Sequence, residues 1–224
     1  MRAGRRAAQW TGILGWLERR RSRHALWIRS QFSIYDSADL AKLDLPWWTF
    51  RAIDEVEGYL GSKGGRARVF EYGAGASTIW LAKRCAEVYT VEHDAQFAAS
   101  MQSHFALHRN VRVAVVPDTA AAGLADEARS RRTGFENRAF GDYVRAIDAV
   151  PGMFDLVVVD GRARNACFKR AMERLAPDGV ILFDNSDRSE YRAALLSSGL
   201  HERIFRGAAP ALPIPSQTSL LTRS

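Results

Sequence analysis

The chain has 224 residues, 47% of them hydrophobic, which suits one globular α/β domain with an extension. Its net charge of +7 belongs to residues 1–30, which hold eight arginines and one glutamate, so the remainder is neutral and lacks the basic character of a nucleic-acid-binding domain. Cys85 and Cys167 have no metal-ligand spacing and indicate no disulfide framework, and no run approaches the ~20 apolar residues of a membrane span. We therefore expect a protein of the reducing cytoplasm.

Residues 1–45 are predicted to form a basic, helical N-terminal extension. Trp10, Ile13, Leu14 and Leu17 recur at helical spacing, and a basic run follows them. Such a helix binds a membrane surface or an anionic partner, or it docks its apolar stripe on the domain or on a second subunit, as in a homodimer. We favour docking, because a short apolar stripe with basic flanks is common.

Two tryptophans come before the first predicted strand. Pro46 suits the start of a helix, and Phe50–Leu60 has a mostly apolar face, so a helix is expected there. Trp47 and Trp48 either cover a bound ligand or pack in the core. Core packing is the more common role for such large aromatic side chains.

The central stretch, Val69–Asp94, predicts a strand, a glycine-rich turn, a helix, a second strand and an acidic residue. Gly73 and Gly75 remove Cβ where the backbone turns and approaches a ligand, and the next helix offers unpaired N–H groups. Glu92, at the end of the second strand, is placed to bind ribose hydroxyls. A dinucleotide site has a third glycine where this chain has Thr78, which argues against a nicotinamide-dependent oxidoreductase.

The rest of the chain alternates predicted strands and helices. The clearest strand is Phe154–Val159, whose continuous apolar run is typical of a parallel strand buried on both faces. Asp160 follows it, at the edge where α/β sheets bind ligands. Ala120–Phe140 is predicted to be a mobile lid or a solvated surface. The other predicted helices are Ile79–Cys85, Ala95–Leu107, Tyr143–Val150, Asn165–Leu175 and Glu190–Ser198. The other predicted strands are Val88–Val91, Val111–Val116, Val180–Phe183, Glu202–Phe205 and Ser219–Thr222, with a turn at Pro177–Gly179.

Five segments in the right order resemble bacterial class I S-adenosylmethionine-dependent methyltransferases: EYGAGAST, TVEHD, FDLVVVDGRAR, LAPDGVILFDNSDR and SQTSLL. The resemblance covers residues 46–224. It implies a Rossmann-like α/β fold, with a mostly parallel seven-stranded sheet in the order 3-2-1-4-5-7-6, an antiparallel C-terminal strand and helices on both faces. It also implies S-adenosyl-L-methionine as cofactor, with the ribose on Glu92 and the adenine beside His93 and Asp118, although a turn or cap role for Asp118 is an equal alternative. The residues expected around the methionine moiety are Glu71, Gly73, Gly75, Ser77 and Thr78.

A narrower resemblance concerns cation-dependent O-methyltransferases of the catechol and caffeoyl-coenzyme A type. In that group an Asp after the fourth strand and an Asp-Asn after the fifth bind magnesium or calcium, and Asp160, Asp184 and Asn185 stand at those strand ends. A hard cation prefers such oxygen ligands, so a Mg²⁺ site is one expectation. The chain departs from the pattern where a lysine base is expected, because residues 161–164 read Gly-Arg-Ala-Arg. The alternative is that Asp160 lines the cofactor pocket and that Asp184-Asn185 forms a turn or a helix cap.

These features predict a methyltransferase that acts on a small-molecule acceptor, at oxygen. Asp160 is the first candidate for the proton acceptor or metal ligand, and His93 is the second. Arg162 and Arg164 either bind an anionic substrate group or are helix-start and surface charges. A nucleic-acid substrate is not expected, because no run like Asn-Pro-Pro-Tyr is present. The non-enzyme alternative is a protein that binds the cofactor or docks a partner without transferring a methyl group.

Overall fold

The structure, a computed structural model, describes residues 13–20, 22–34, 36–120, 128–129, 134–135 and 137–223. In these residues, seven strands form one sheet: Arg68–Tyr72 (β1), Glu87–Glu92 (β2), Val111–Val115 (β3), Phe154–Val159 (β6), Leu175–Asp184 (β7), His201–Gly207 (β8) and Ser216–Thr222 (β9). A separate antiparallel pair consists of Thr119–Ala120 (β4) and Arg138–Ala139 (β5). Most of the predicted lid between Ala120 and Phe140 lies outside the described residues.

The order of the strands in the main sheet is β3-β2-β1-β6-β7-β9-β8. The first five are parallel to one another, and β9 runs antiparallel between β7 and β8. This order confirms the predicted 3-2-1-4-5-7-6 arrangement. β6 pairs with β1 on one side and β7 on the other, and Leu156–Val159 is fully buried, which explains the continuous apolar run of this strand.

Helices cover both faces of the sheet. They are Ile13–Arg19 (α1), Arg23–Ser30 (α2), Ser37–Lys42 (α3), Phe50–Ser62 (α4), Ala76–Ala82 (α5), Ala95–Phe105 (α6), Gly141–Arg145 (α7), Arg164–Arg174 (α8) and Ser189–Leu196 (α9), with short 3₁₀ turns at Gln31–Ser33 and Ala146–Ala149. One core contains Ile53 of α4 and Leu81 of α5, and the other contains Tyr143 of α7 and Phe168 of α8. Each such buried side chain contributes about 1.5–3 kcal/mol, so these two cores hold the helices that position the strand ends.

The strand β7 begins earlier than its sequence predicts. The predicted turn at Pro177–Gly179 lies inside β7, which starts at Leu175 directly after α8. Phe154 pairs with Leu175, but Leu156 pairs with Val180, so the register shifts between these two pairs. The extra residues of β7 therefore form a bulge within the strand. The sequence predicts a turn there instead, because Pro, Asp and Gly are typical turn residues.

The described part of the N-terminal extension packs against the domain. Leu14 and Leu17 are buried. The Trp27 indole N–H and the Gln31 amide both donate to the carbonyl of Leu212, at 3.0 and 3.2 Å. Trp27 also packs against the core that contains Ile53. Docking of the apolar stripe itself stays a prediction, and Trp10 lies outside the described residues.

One arginine of the extension is not a surface charge. The guanidinium of Arg29 is buried and donates twice to the carboxylate of Asp39, at 2.9 and 3.2 Å. Arg2, Arg5, Arg6 and Arg21 lie outside the described residues. Among the helices that the structure describes, none is long and apolar enough to cross a membrane. Contact with a membrane surface or a second subunit, and a cytoplasmic location, stay predictions.

Candidate active site

A cavity of about 1380 Å³ opens where the parallel strands end. Its first end, called here the β1 end, is lined by Gly73–Ser77 after β1 and by Glu92–Asp94 after β2. Its second end, called the α9 end, is lined by residues of α9 and of the segment 212–216. Asp160 and Asp184 also line it, and because β6 lies between β1 and β7, Asp160 stands between the β1 turn and Asp184.

Gly73 allows two turns to meet backbone to backbone. Its φ is +97°, in the left-handed region that favours glycine, and a Cβ at this position would lie 2.9 Å from the Cα of Gly161. Its N–H donates to the carbonyl of Val91 at 2.9 Å. Gly75 differs, since its φ of 172° is extended and an added Cβ would find its nearest neighbour, Ser37 Oγ, at 4.0 Å. The turn therefore requires glycine at position 73, but its backbone does not require glycine at position 75.

Glu71 is fully buried beneath this turn. Its two carboxylate oxygens accept hydrogen bonds from the hydroxyls of Ser77 and Thr78, each at 2.5 Å, and the Gly75 N–H donates to Thr78 Oγ1 at 2.9 Å. Burial raises the pKa of Glu71 to about 7, although the hydroxyl donors oppose the shift. Ser77 lines the cavity, whereas Glu71 and Thr78 are fully buried and hold the turn from behind, so their place around the methionine moiety stays a prediction.

Glu92 ties the two turns at the β1 end together. Its Oε1 accepts hydrogen bonds from the backbone N–H groups of His93 and Asp94, both at 2.8 Å, and its Oε2 accepts from the N–H of Ala74 at 3.1 Å. The carboxylate is buried but lines the cavity. Since a carboxylate has about four lone-pair sites, Oε2 keeps capacity for a ligand hydroxyl, as the predicted ribose contact needs.

His93 lines the β1 end with both ring nitrogens engaged. Its Nδ1 lies 2.7 Å from Glu92 Oε1, and its Nε2 accepts a hydrogen bond from Arg162 Nε at 3.2 Å. An accepting Nε2 requires the ring proton on Nδ1. The Arg162 guanidinium also lies 4.6 Å from the ring centroid of Phe135. His93 therefore lines the cavity, and its place beside the adenine stays a prediction, whereas both of its ring nitrogens already have partners and neither faces a substrate proton freely.

Asp118 lies outside the described cavity lining. Its carboxylate pairs with the Arg138 guanidinium, and this hydrogen bond lowers the pKa of Asp118. The ion pair joins the start of β4 to β5, so the carboxylate stabilises the small antiparallel pair. The ion pair agrees with the turn role, and the contact with the adenine stays a prediction.

The place predicted for a metal ion holds the guanidinium of Arg164, the first residue of α8. Arg164 is buried and donates to Asp160 Oδ1 at 2.8 Å, to the main-chain carbonyl of Asp184 and to Asn185 Oδ1 at 3.4 Å. The residues that the structure describes contain no cluster of three or more His, Cys, Asp or Glu side chains suited to a metal ion. These donors do not fit Mg²⁺, because Asp160 Oδ1 and Asn185 Oδ1 already accept hydrogen bonds from Arg164, and Asp184 Oδ1 accepts one from the hydroxyl of Thr218.

Asn185 forms a turn, as the alternative interpretation predicts. Its φ of +53° is left-handed, a conformation that asparagine tolerates better than most residues. Its Oδ1 also accepts from Arg188 at 2.9 Å, and its Nδ2 donates to Ser216 Oγ at 3.3 Å. The side chain therefore joins α8, the turn after β7 and the start of β9.

The two aspartates differ in their partners. Burial raises the pKa of Asp160, and the charge of Arg164 opposes the shift. Asp184 Oδ1 instead accepts from the neutral hydroxyl of Thr218 at 2.7 Å. Burial, followed by the negative charge of Asp160, raises the pKa of Asp184 to about 7. The carboxylate of Asp184 therefore has a neutral hydrogen-bond donor, whereas the carboxylate of Asp160 is held by a cation.

The two tryptophans have different roles. Trp47 lines the cavity. Trp48 is fully buried and packs edge to face on Trp80, with ring centroids 5.7 Å apart. The sequence predicted both roles but could not assign them, because adjacent aromatic residues give the same signal.

The family model described as a methyltransferase domain matches residues 70–186, more than half of the chain. The chain belongs to this methyltransferase family. The match spans every segment that builds the β1 end, together with Asp160, Arg164 and Asp184. A comparison with proteins of curated function found no match.

Solved structures support the class I fold of this methyltransferase. A protein from Klebsiella pneumoniae named as an O-methyltransferase has a TM-score of 0.58 at 16% identity, over 96% of this chain and 98% of that one. An rRNA methylase from Streptococcus thermophilus has a TM-score of 0.53 at 11% identity, over 76% of this chain and 95% of that one. A protein from Streptococcus mutans named as a methyltransferase, solved in complex with SAH, has a TM-score of 0.50 at 12% identity, over 75% and 96% of the two chains. These similarities concern the fold alone.

Sequence reasoning missed the functional roles of two residues in this methyltransferase. The sequence predicts Arg164 as a substrate-binding, helix-start or surface charge, and it does start α8, but its contacts with Asp160 and with the turn after β7 are not predicted. Its position four residues after Asp160 is the signal that could have suggested the ion pair. Thr218 gave no signal, because a threonine in a C-terminal strand is ordinary. Its contact with Asp184 depends on the antiparallel pairing of β7 with β9, in which the two residues are register partners.

Proposed function

We propose that this methyltransferase transfers the methyl group of S-adenosylmethionine to an oxygen atom of a small-molecule acceptor. The observation that carries the proposal is the cavity of about 1380 Å³, which exceeds the roughly 300–1,000 Å³ typical of one small ligand. Cofactor at the β1 end therefore leaves room for a second small molecule at the α9 end. Asp184 lines the cavity as a buried carboxylate suited to accept a hydroxyl proton.

The charge of the cavity favours a small molecule over RNA. The described residues that line it include five basic and six acidic side chains, namely Arg129, Arg162, Arg164, Lys169 and Arg188 against Glu92, Asp94, Asp160, Asp184, Asp187 and Glu190. RNA binding needs a surplus of positive charge along the path of the backbone. A lining with this balance does not provide that surplus.

The proposed chemistry is a direct displacement. The cofactor supplies a methyl group already activated on a sulfonium, so the chain has to align the acceptor, exclude water and take one proton. The acceptor oxygen forms a bond to the methyl carbon as the carbon–sulfur bond breaks, and the electron pair of that bond stays on sulfur. The hydroxyl proton passes to the carboxylate of Asp184. Asp160, the predicted base, is less suited because Arg164 holds its Oδ1.

The test is methyl transfer from S-adenosylmethionine with a deuterated methyl group to a panel of phenols, catechols, hydroxy acids, amines and short RNAs, read by mass spectrometry. We expect the label on oxygen of a hydroxylated small molecule. Asp184→Asn should lower kcat by about 10²–10⁴-fold, the usual contribution of a general base, while binding of S-adenosylhomocysteine is retained. Asp142→Asn, which changes an exposed carboxylate paired with Arg145, is the matched control.

Each other outcome points to a different function. Label on RNA or on amines only would contradict the proposal. Binding of S-adenosylhomocysteine without transfer to any of these acceptors would favour the alternative of a cofactor-binding protein without methyl transfer.

A further inference from the structure

The guanidinium of Arg164 is saturated by the two turns that flank it. Its Nε donates to the carbonyl of Gly161 at 3.1 Å, and its Nη2 donates to the carbonyl and to Oδ1 of Asp160, at 2.7 and 2.8 Å. Its Nη1 donates to the carbonyl of Asp184 and to Asn185 Oδ1. A guanidinium has five N–H groups, and here each has an acceptor, so Arg164 has no donor left for a substrate anion.

We propose that Arg164 is a built-in cation that takes the place of a divalent metal ion between Asp160 and Asp184, and that it acts as a positioning residue for both. The proposal rests on the proposed function only for the statement that these carboxylates face the acceptor. The contacts of Arg164 with the carboxylate of Asp160 and with the main-chain carbonyl of Asp184 do not depend on the proposed function.

The position of Arg164 fits this role. As the first residue of α8, it follows β6 by a short turn, yet its side chain reaches the turn after the neighbouring strand β7. It therefore joins the ends of two parallel strands, as a bridging metal would. Arginine keeps its charge at any physiological pH, and its planar fork fixes the directions of its partners as well as their distance.

The charges around Arg164 explain why a cation is needed there. Asp160 and Asp184 both act on it electrostatically, and these two carboxylates raise its pKa against the effect of burial. Arg188 provides a second cation nearby, through its hydrogen bond to Asn185 Oδ1. Two carboxylates in one buried site repel each other, and a positive charge beside them offsets that repulsion. Arg164 supplies that charge without a bound ion.

The test measures binding of Mn²⁺ by its EPR spectrum, in protein saturated with S-adenosylhomocysteine and without any methyl acceptor. We expect the wild type to leave Mn²⁺ free. Arg164→Ala removes the cation and leaves the carboxylates, so it should bind one Mn²⁺ at least about tenfold more tightly than the wild type. Adding Asp184→Asn to that variant should abolish the gain. A low, non-denaturing concentration of guanidinium chloride should displace the Mn²⁺, because it fills the same space.

Two further variants make the result decisive. Arg162→Ala removes the neighbouring arginine, which donates to His93 Nε2, and should gain no Mn²⁺ site. Arg164→Gln keeps hydrogen-bond donors without the charge and serves where the alanine variant does not fold. Mn²⁺ binding by the wild type that is lost in Asp184→Asn would overturn the proposal, as would a folded Arg164→Ala and Arg164→Gln pair that binds no Mn²⁺. Because no acceptor is used, neither result depends on whether the enzyme methylates oxygen.

Discussion

The turn after β1 and the turns after β6 and β7 lie at the same edge of the sheet, but different donors hold their carboxylates. At the β1 end, Glu71 accepts from two hydroxyls and Glu92 from backbone N–H groups. All of these donors are neutral. On the other side, the carboxylate of Asp160 and the carbonyl of Asp184 accept from the guanidinium of Arg164.

This difference indicates which substitutions each region should tolerate least. The neutral donors at the β1 end are backbone N–H groups and two hydroxyls of the glycine-rich turn, so this end relies on the path that glycine gives to that turn. A charged donor depends on one side chain, so the β6 and β7 turns rely on the charge of Arg164. The two regions meet where Gly73 contacts Gly161, and a change there affects both.

Gly73→Ala should have the largest effect. The alanine would hold a left-handed φ, and its Cβ would press on the backbone of Gly161 rather than on a flexible side chain. Strain of about 1–2 kcal/mol and overpacking of about 1–3 kcal/mol predict a loss of about 4 kcal/mol in the free energy of unfolding, measured by urea denaturation. Gly75→Ala is the control and should cost less than about 1 kcal/mol, because its Cβ meets only ordinary contacts. Equal losses in the two variants would contradict the role given to the Gly73–Gly161 contact.

Glu71→Gln tests whether the free energy of unfolding depends on the ionisation of Glu71, a buried carboxyl whose donors are all neutral. The pKa of Glu71 is raised from 4.5 to about 7 in the folded chain, so between these values the folded state holds a proton that the unfolded state has released. Its contribution to stability is therefore fully present below pH 4.5 and is lost as the pH rises through about 7. The loss is about 1.4 kcal/mol per pH unit over that interval.

Glutamine resembles the protonated side chain and has no such dependence. Relative to the wild type, the Glu71→Gln variant should therefore gain about 2–3 kcal/mol of stability between about pH 5 and about pH 8, by urea denaturation at each pH. Glu173→Gln, which changes an exposed carboxylate paired with Arg170, should show no comparable gain. Parallel curves for wild type and Glu71→Gln would mean that the pKa of Glu71 is not raised into this pH range by folding.

The sequence predicted those parts of the site that depend on local pattern. Gly73 and Glu92 follow from their places after two strands, and the strand order follows from the family resemblance. Side chains that reach between turns were not predictable in this way. Asp118 stands at the family position but pairs with Arg138, and Asp160 stands at a metal-ligand position but pairs with Arg164. Residue type and spacing specify where a carboxylate is, but the partner that reaches it depends on loop paths that the pattern does not contain.

Thr218→Val should have the smallest effect and tests the neutral partner of Asp184. The hydroxyl of Thr218 donates to Asp184 Oδ1 and accepts from the N–H of Thr49 at 3.1 Å. Valine keeps the shape and removes both hydrogen bonds, so we expect a loss of about 1–3 kcal/mol in the free energy of unfolding, at the low end of that range. Thr222→Val, near the end of the same strand and only half-buried, should be close to neutral.

The same change should also raise the pKa of Asp184 further, because the ionised carboxylate loses a hydrogen-bond donor. Carboxyl ¹³C shifts in protein saturated with S-adenosylhomocysteine would report this pKa directly. An unchanged pKa would show that the Thr218 hydroxyl does not favour the ionised form. An increase would place Asp184 under the control of a neutral hydroxyl from β9, while Asp160 remains under the charge of Arg164. Asp184 would then have a neutral donor, as the carboxylates of the β1 end do, and only Asp160 of the two strand-end aspartates would depend on a charged one.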